Sequence, residues 1–101
     1  MRIIAKSTIQ NYWIANPLAE HSLLDWYDSV KKVNWQTPND VKITYGNASI
    51  VANNRVVFNI KGNSYRLVTE IDYIFQLVFI IWVGTHAEYD KIDVTKIQYN
   101  G

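Results

Sequence analysis

The spacing of apolar residues changes period near the middle of the chain. Ala19, Leu23, Trp26 and Val30 recur at i, i+4, i+7 and i+11, with Leu24 and Tyr27 widening the stripe, which predicts an amphipathic helix. Pro17 suits the first turn of that helix, because the N–H it lacks would be unpaired there anyway. Asn16-Pro17 marks a break from an earlier helix that carries Ile9, Tyr12 and Trp13 on one face. Ser7 is the expected cap of the first helix, and Lys31 and Lys32 close the second, where cations favour the helix dipole. RIIAK, at the start, reads as a short strand, and the two helices after it are expected to form an antiparallel hairpin. TPND at 37–40 begins a further short helix, with Thr37 as cap, Asp40 three residues on, and Gly46-Asn47 beyond its end.

From residue 55 the period is two. Arg55, Val57 and Asn59 alternate with Val56, Phe58 and Ile60, and Lys61-Gly62-Asn63 forms a turn. Tyr65, Leu67 and Ile71 then alternate with Ser64, Arg66, Glu70 and Asp72, and Asp72-Tyr73 begins a second turn. The run IFQLVFIIWV at 74–83 is apolar on both faces, which suits a central strand covered twice. The predicted fold is α+β: a strand, a helix pair and three antiparallel strands, with N-terminal helices packed on one face of a small antiparallel-rich sheet. Arg55 and Arg66 are candidates to look out from the other face. Pairing 60 with 64 puts Phe58 opposite Arg66, whereas a looser turn, one residue different, moves Arg66 to the face of Arg55.

Composition narrows the classes. The 101 residues suit one domain, 1–101, and 49% hydrophobic with 19% charged is ordinary for a globular chain. Cysteine is absent, which excludes disulfides and thiolate metal sites and fits a reducing cytoplasm. No signal-peptide pattern is read at the N-terminus, and the apolar run falls short of the roughly 20 residues that span a bilayer, so no membrane association is expected. The net charge of +1 hides an asymmetry. Residues 1–66 hold eight Lys or Arg and four Asp or Glu, a balance of +4, and residues 67–101 hold two and five, a balance of −3. A basic front of this kind can meet phosphates, and asymmetry of this size also arises by chance.

The chemistry gathers after the apolar run, in GTHAEYDKID at 84–93. His86 follows a strand end, where a rigid scaffold carries reactive side chains into solvent, and histidine exchanges protons near neutrality. Its plainer reading is a loop histidine bonded to a backbone carbonyl. Tyr89 is placed to stack on a base or donate a proton, and Lys91 to neutralise a phosphate. Glu88 and Asp90 are either solvated or helix-starting, with Asp93 capping VTKIQ. His86, Glu88 and Asp90 would chelate a metal only on an extended backbone, so no metal and no cofactor are expected. Arg66, between apolar strand neighbours, is either a rigid forked donor for phosphate or a solvated arginine paired with Glu70. His21 reads as surface. No P-loop, GxSxG, HExxH or GxGxxG occurs.

These same residues carry a resemblance that covers nearly the whole chain. NNRVVFNIKGNSYRLV at 53–68 and FIIWVGTHAEYDKI at 79–92, with RIIAKSTI at the start and the W-x-T-P-x-D-V-K segment at 35–42, resemble the HigB toxins of type II toxin–antitoxin systems. The resemblance implies a RelE-like fold and a ribosome-dependent mRNA endonuclease, an mRNA interferase. It implies a HigA-like helix-turn-helix antitoxin as partner, and promoter DNA bound only through the toxin–antitoxin complex. The reaction it implies is metal-independent: the ribose 2′-hydroxyl attacks the adjacent phosphate and the 5′-oxygen leaves. In that setting Arg66 stabilises the phosphorane, His86 transfers protons and Tyr89 orients a base or shares the proton work. Arg55, Lys61 and Lys91 contact RNA. The alternative is a catalytically inactive RelE-fold module that only binds RNA or an antitoxin-like regulator. One departure is charge. Many relatives are strongly basic, and at +1 this chain is left with Arg2, Lys6, Lys31, Lys32 and Lys42 as a local basic face.

Overall fold

The helical stripe read from the sequence is the floor of the core. The computed structural model describes residues 1–98. The chain runs β1 (Arg2–Ile4), α1 (Lys6–Ala15), a 3-10 turn (Pro17–Ala19), α2 (Glu20–Val30), α3 (Pro38–Thr44), β2 (Ser49–Val51), β3 (Arg55–Ile60), β4 (Tyr65–Asp72), β5 (Leu77–Thr85) and α4 (His86–Tyr89). Ile9, Trp13, Ala19, Leu23, Trp26 and Val30 are all buried, as the helical spacing requires. They meet Val56, Phe58, Ile60, Leu67, Ile71, Val78 and Ile80, which project from one face of the sheet. Phe58 is the hub. Its ring lies 5.4 Å from Trp26, 6.0 Å from Trp35 and 5.3 Å from Tyr45, centroid to centroid.

The α+β class is as expected, a sheet of five strands in the order β1-β5-β4-β3-β2 with three antiparallel pairings and one parallel pairing, β1 with β5. The middle strand is β4, however, and the apolar β5 is flanked on both sides only at Leu77–Phe79, where β1 reaches it. The reason is length. β1 has three residues and ends at Ile4, and the φ of 73° at the next residue, Ala5, turns the chain into α1. This abrupt turn also removes the expected cap: α1 begins at Lys6, Ala5 occupies the cap position, and no side chain caps it. The Thr37–Asp40 capping box does form, with Thr37 Oγ1 accepting from the Asp40 N–H and Asp40 accepting from the Thr37 N–H. Asp93 accepts from the N–H and hydroxyl of Thr95, but this stabilises a turn and not the helix expected over VTKIQ. His21 is exposed beside Asp25, 3.3 Å away, in keeping with a surface role.

Two local irregularities decide what the second face of the sheet carries. The β3–β4 loop is the looser one, pairing Ile60 with Tyr65 and Asn59 with Arg66. Lys61 (φ 54°) and Gly62 (φ 62°) both adopt the left-handed region and create the extra length. The tight register that would have put Arg66 beside Phe58 is therefore not formed, and Arg66 shares the face of Arg55. In β5, Trp82 pairs with Val68 and Ile80 with Thr69, leaving Ile81 as an extra residue, a β-bulge. A bulge reverses the in–out alternation beyond it. Before it, Val78 and Ile80 face the helices. After it, Val83 does, while Trp82 and Gly84 turn to the second face opposite Val68 and Arg66.

The chain then folds back over that face. The His86 N–H donates to Ser64 O at one end, and at the other Asn53 Nδ2 donates to Thr95 O and Arg55 Nη2 to Ile97 O. This cover explains why Val57, Val68, Arg55 and Arg66 are buried on the side away from the helices. Among the described residues, no helix is long and apolar enough to cross a membrane.

Candidate active site

Arg66 and His86 meet where β4 begins and β5 ends. Gly84 pairs with Arg66 across the two strands, so His86, two residues later, emerges beside the guanidinium. Arg66 Nη2 lies 3.2 Å from His86 Nδ1. Arg66 is 9% exposed, and its other contacts come from the adjacent loop: Nη2 donates to Asn63 Oδ1 at 2.6 Å, and Nη1 to Asn63 O and Tyr65 O at 3.2 Å each. Each Nη nitrogen has two N–H donors, so the end of the fork is fully engaged within the protein.

His86 is not in a loop. It opens α4, a single helical turn capped by Thr85, whose hydroxyl accepts from the Glu88 N–H while Glu88 Oε1 accepts from the Thr85 N–H at 2.8 Å. The T-x-x-E spacing at 85–88 is a capping-box signature and was the available sequence signal for this helix. The hydrogen bonds from the Thr85 backbone and hydroxyl hold the Glu88 carboxyl below its usual range. Glu88 is thus turned back to Thr85, while His86 and Asp90 stand one helical turn apart with Nε2 3.5 Å from Asp90 Oδ2. The three side chains do not converge as the extended segment would have made them, and among the described residues no cluster suited to a metal is formed.

Tyr89 is half-buried against Trp82, with ring centroids 6.3 Å apart and planes tilted by 50°. Trp82 reaches this face only because of the bulge, which the alternation pattern did not reveal. From the opposite side of the sheet Tyr12 approaches Tyr65, ring to ring at 6.0 Å, and burial, followed by the Glu88 charge, raises its hydroxyl pKa.

The proposed cations are spread out. Lys61 is exposed in the β3–β4 loop, and Lys91 is exposed just past α4. Arg55 is elsewhere: it pairs with Glu70, four residues along β3 from the Asn59–Arg66 pair, about 14 Å at strand spacing. It is 6% exposed, donates to Ile97 O at 2.6 Å and lies 3.6 Å from Glu70, so Glu70 is the partner of Arg55 and not of Arg66. An open polar cleft of about 650 Å³ at that end is lined by Asn53, Arg55, Glu70, Thr95, Lys96 and Gln98, away from the histidine. Of the other cations, Lys6 and Lys31 lie over the Tyr27 ring at 4.5 and 5.0 Å, and Lys42 donates to the carbonyls of Gly46 and Ala48. Asn63 is the site neighbour that the sequence reading did not single out. Turn asparagines are common, and nothing local in the sequence marks this one.

Comparison with known proteins identifies the family. The HigB toxin family model, described as the RelE-like toxic component of a toxin–antitoxin system, matches residues 19–92. The chain is also similar to the mRNA interferase HigB of Escherichia coli O6:H1 strain CFT073, with 29% identity over 97 residues that cover 91% of each chain.

Proposed function

We propose, from the premise that this chain belongs to the HigB family of RelE-like toxic components of toxin–antitoxin systems, that it is an endoribonuclease acting on mRNA during translation. The observation that carries the reading is the Arg66–His86 contact at 3.2 Å, held at the end of a rigid sheet with Tyr89 one turn further on. In-line attack of a 2′-hydroxyl on the adjacent phosphate forms the 2′–O–P bond, breaks the P–O5′ bond and leaves a 2′,3′-cyclic phosphate and a 5′-hydroxyl. The 2′-hydroxyl loses a proton, the 5′-oxygen gains one, and the phosphorane between them carries extra negative charge.

Within this reading His86 is the imidazole at the reacting phosphate, and Arg66 sets a buried positive charge directly behind it. Tyr89 offers a ring to a nucleobase, since stacking on aromatic side chains is a sequence-tolerant way to hold single-stranded RNA. Lys61, exposed in the β3–β4 loop, and Lys91, exposed just past α4, neutralise neighbouring phosphates. Arg55 serves the RNA only at the far end of the same face. The partner is a HigA-like helix-turn-helix antitoxin, through which the pair binds promoter DNA, and the working place is the ribosome in the cytoplasm.

A second reading, a module that binds without cutting, draws on one observation: the Arg66 Nη donors are all taken by the protein, so no free fork faces a phosphate. Primer-extension mapping in a purified translation reaction decides between them, using wild type, Arg66→Ala and His86→Ala, each checked for folding. Discrete cuts within translated codons, lost in both variants, are expected. The histidine loss should amount to about 10²–10⁴-fold if it serves proton transfer or charge stabilisation. Cuts that survive in both variants would discard this site, and no cuts from folded wild type would favour the binding module.

A further inference from the structure

The hydrogen-bond inventory around His86 specifies more than proximity. A guanidinium has donors and no acceptor, so the Asn63 atom facing Arg66 Nη2 at 2.6 Å is the amide oxygen, and the His86 Nδ1 facing it at 3.2 Å is an unprotonated acceptor. The ring proton is then on Nε2, the nitrogen near Asp90 Oδ2. The loop Lys61–Ser64 grips His86 twice, through the Ser64 carbonyl that receives its backbone N–H and through the Asn63-held Arg66 that engages its ring. The charged groups facing the imidazole are Arg66 from β4 and Asp90, the residue that ends α4.

Resting on the endoribonuclease reading above, we propose that Asn63 is a positioning residue: acting through Arg66, it pins His86 Nδ1 as an acceptor, so that His86 meets RNA as a neutral ring whose Nε2–H donates a hydrogen bond to the reacting phosphoryl oxygen. A neutral imidazole is able to act as such an electrophile when its other nitrogen is fixed. No bond to His86 forms and no proton leaves it. As the phosphoryl oxygen gains charge, a donor already aimed at it stabilises the transition state more than the ground state. The Nε2–Asp90 separation of 3.5 Å is too long for a strong hydrogen bond, so an RNA oxygen replaces the carboxylate at little cost. The lone pair that a general base would need is the one Arg66 occupies, which takes His86 out of that role.

Asn63 is exposed, so its replacement leaves the core intact. Two readouts test the assignment on the full-length protein. Long-range 15N–1H correlation of the imidazole, on wild type and Asn63→Ala, reports which nitrogen is protonated without requiring activity. The expected result is Nδ1 unprotonated and Nε2 protonated in wild type, with both nitrogens shifting toward a tautomer average in Asn63→Ala. A protonated Nδ1 in wild type, or spectra unchanged by the substitution, overturns the pin. In single-turnover cleavage on programmed ribosomes, Asn63→Ala should lower kcat about tenfold with KM nearly constant, as for loss of one positioned hydrogen bond, and Asn63→Asp, which keeps the acceptor, should recover most of it. Full activity in Asn63→Ala overturns the inference and leaves the endoribonuclease intact. If wild type cuts nothing, the endoribonuclease reading falls, and the spectra still decide the pin.

Discussion

The indole of Trp82 occupies the space that a side chain at Gly84 would need. A Cβ on Gly84 would come within 2.4 Å of Trp82 Cη2 and 2.6 Å of Cζ2, and 3.0 Å from Glu88 Oε1. Gly84 is also the strand partner of Arg66, and Trp82 packs near Tyr89. The missing side chain therefore lets an aromatic ring lie across the strand beside the Arg66–His86 contact.

Gly84→Ala should accordingly destabilise the protein by about 1–3 kcal/mol, the range for inserting a methyl into filled space. It should also disturb Trp82 and the Glu88 cap. Denaturant midpoints measure the cost. Trp82→Leu in the Gly84→Ala background should restore part of it, because contacting sites are non-additive. An additive double mutant would mean that the ring is not what the methyl meets.

The cations divide into those that hold the fold, such as Arg55, and those left exposed, such as Lys61 and Lys91. Arg55→Ala removes the bond to the Ile97 carbonyl and the partner of Glu70, and should cost about 1–3 kcal/mol. Lys61→Ala and Lys91→Ala should stay within about 0.5 kcal/mol of wild type, because both side chains are exposed. In binding to a single-stranded RNA, each lysine that contacts a phosphate should reduce the slope of log K against log salt by about 0.7 when removed. Urea melts and salt titrations on the three variants separate the two effects.

The α4 cap should be sensitive to acid. The Glu88 pKa is lowered from its ordinary value of 4.5, first by the Thr85 backbone hydrogen bond and then by the Thr85 hydroxyl. A depressed folded-state pKa contributes stability that is present above the ordinary value and is lost as pH falls through the folded one. The Thr85 amide resonance should therefore hold steady from neutrality and move only on the acid side of 4.5. In Glu88→Gln that movement should vanish. Asp93 and Thr95 should behave alike, since the hydrogen bonds from Thr95 lower the Asp93 pKa in the same way.

Phe58→Ala should be the costliest core change, at about 3–5 kcal/mol, because it empties the centre of the Trp26, Trp35 and Tyr45 cluster. Thermal or urea unfolding checks this directly. A cost near 1 kcal/mol would mean that the neighbouring rings collapse into the space.

Sequence alone determined most of the elements, but not β2 or α4, and one face of the sheet. The period of 3.6 in α2 and of 2 in β3 and β4 is set by which side chains must leave water, and that pattern is local. It identified Ala19, Leu23, Trp26 and Val30 as core and Thr37–Asp40 as a cap, and it singled out Arg66 and His86, which the fold brings into contact, as candidates. Tertiary structure decided what those side chains do. A one-residue change in loop length moved Arg66 to the face of Arg55, and a bulge at Ile81 turned Trp82 and Gly84 to the same face. Both are parity effects, in which one residue reverses every side chain beyond it, and the alternation within each strand is the same either way. Whether Arg66 is free or fully bonded, and which nitrogen of His86 faces it, depends on Asn63, Tyr65 and His86 meeting across two strands and a loop. Such contacts are three-dimensional coincidences of register, and no window of sequence contains them.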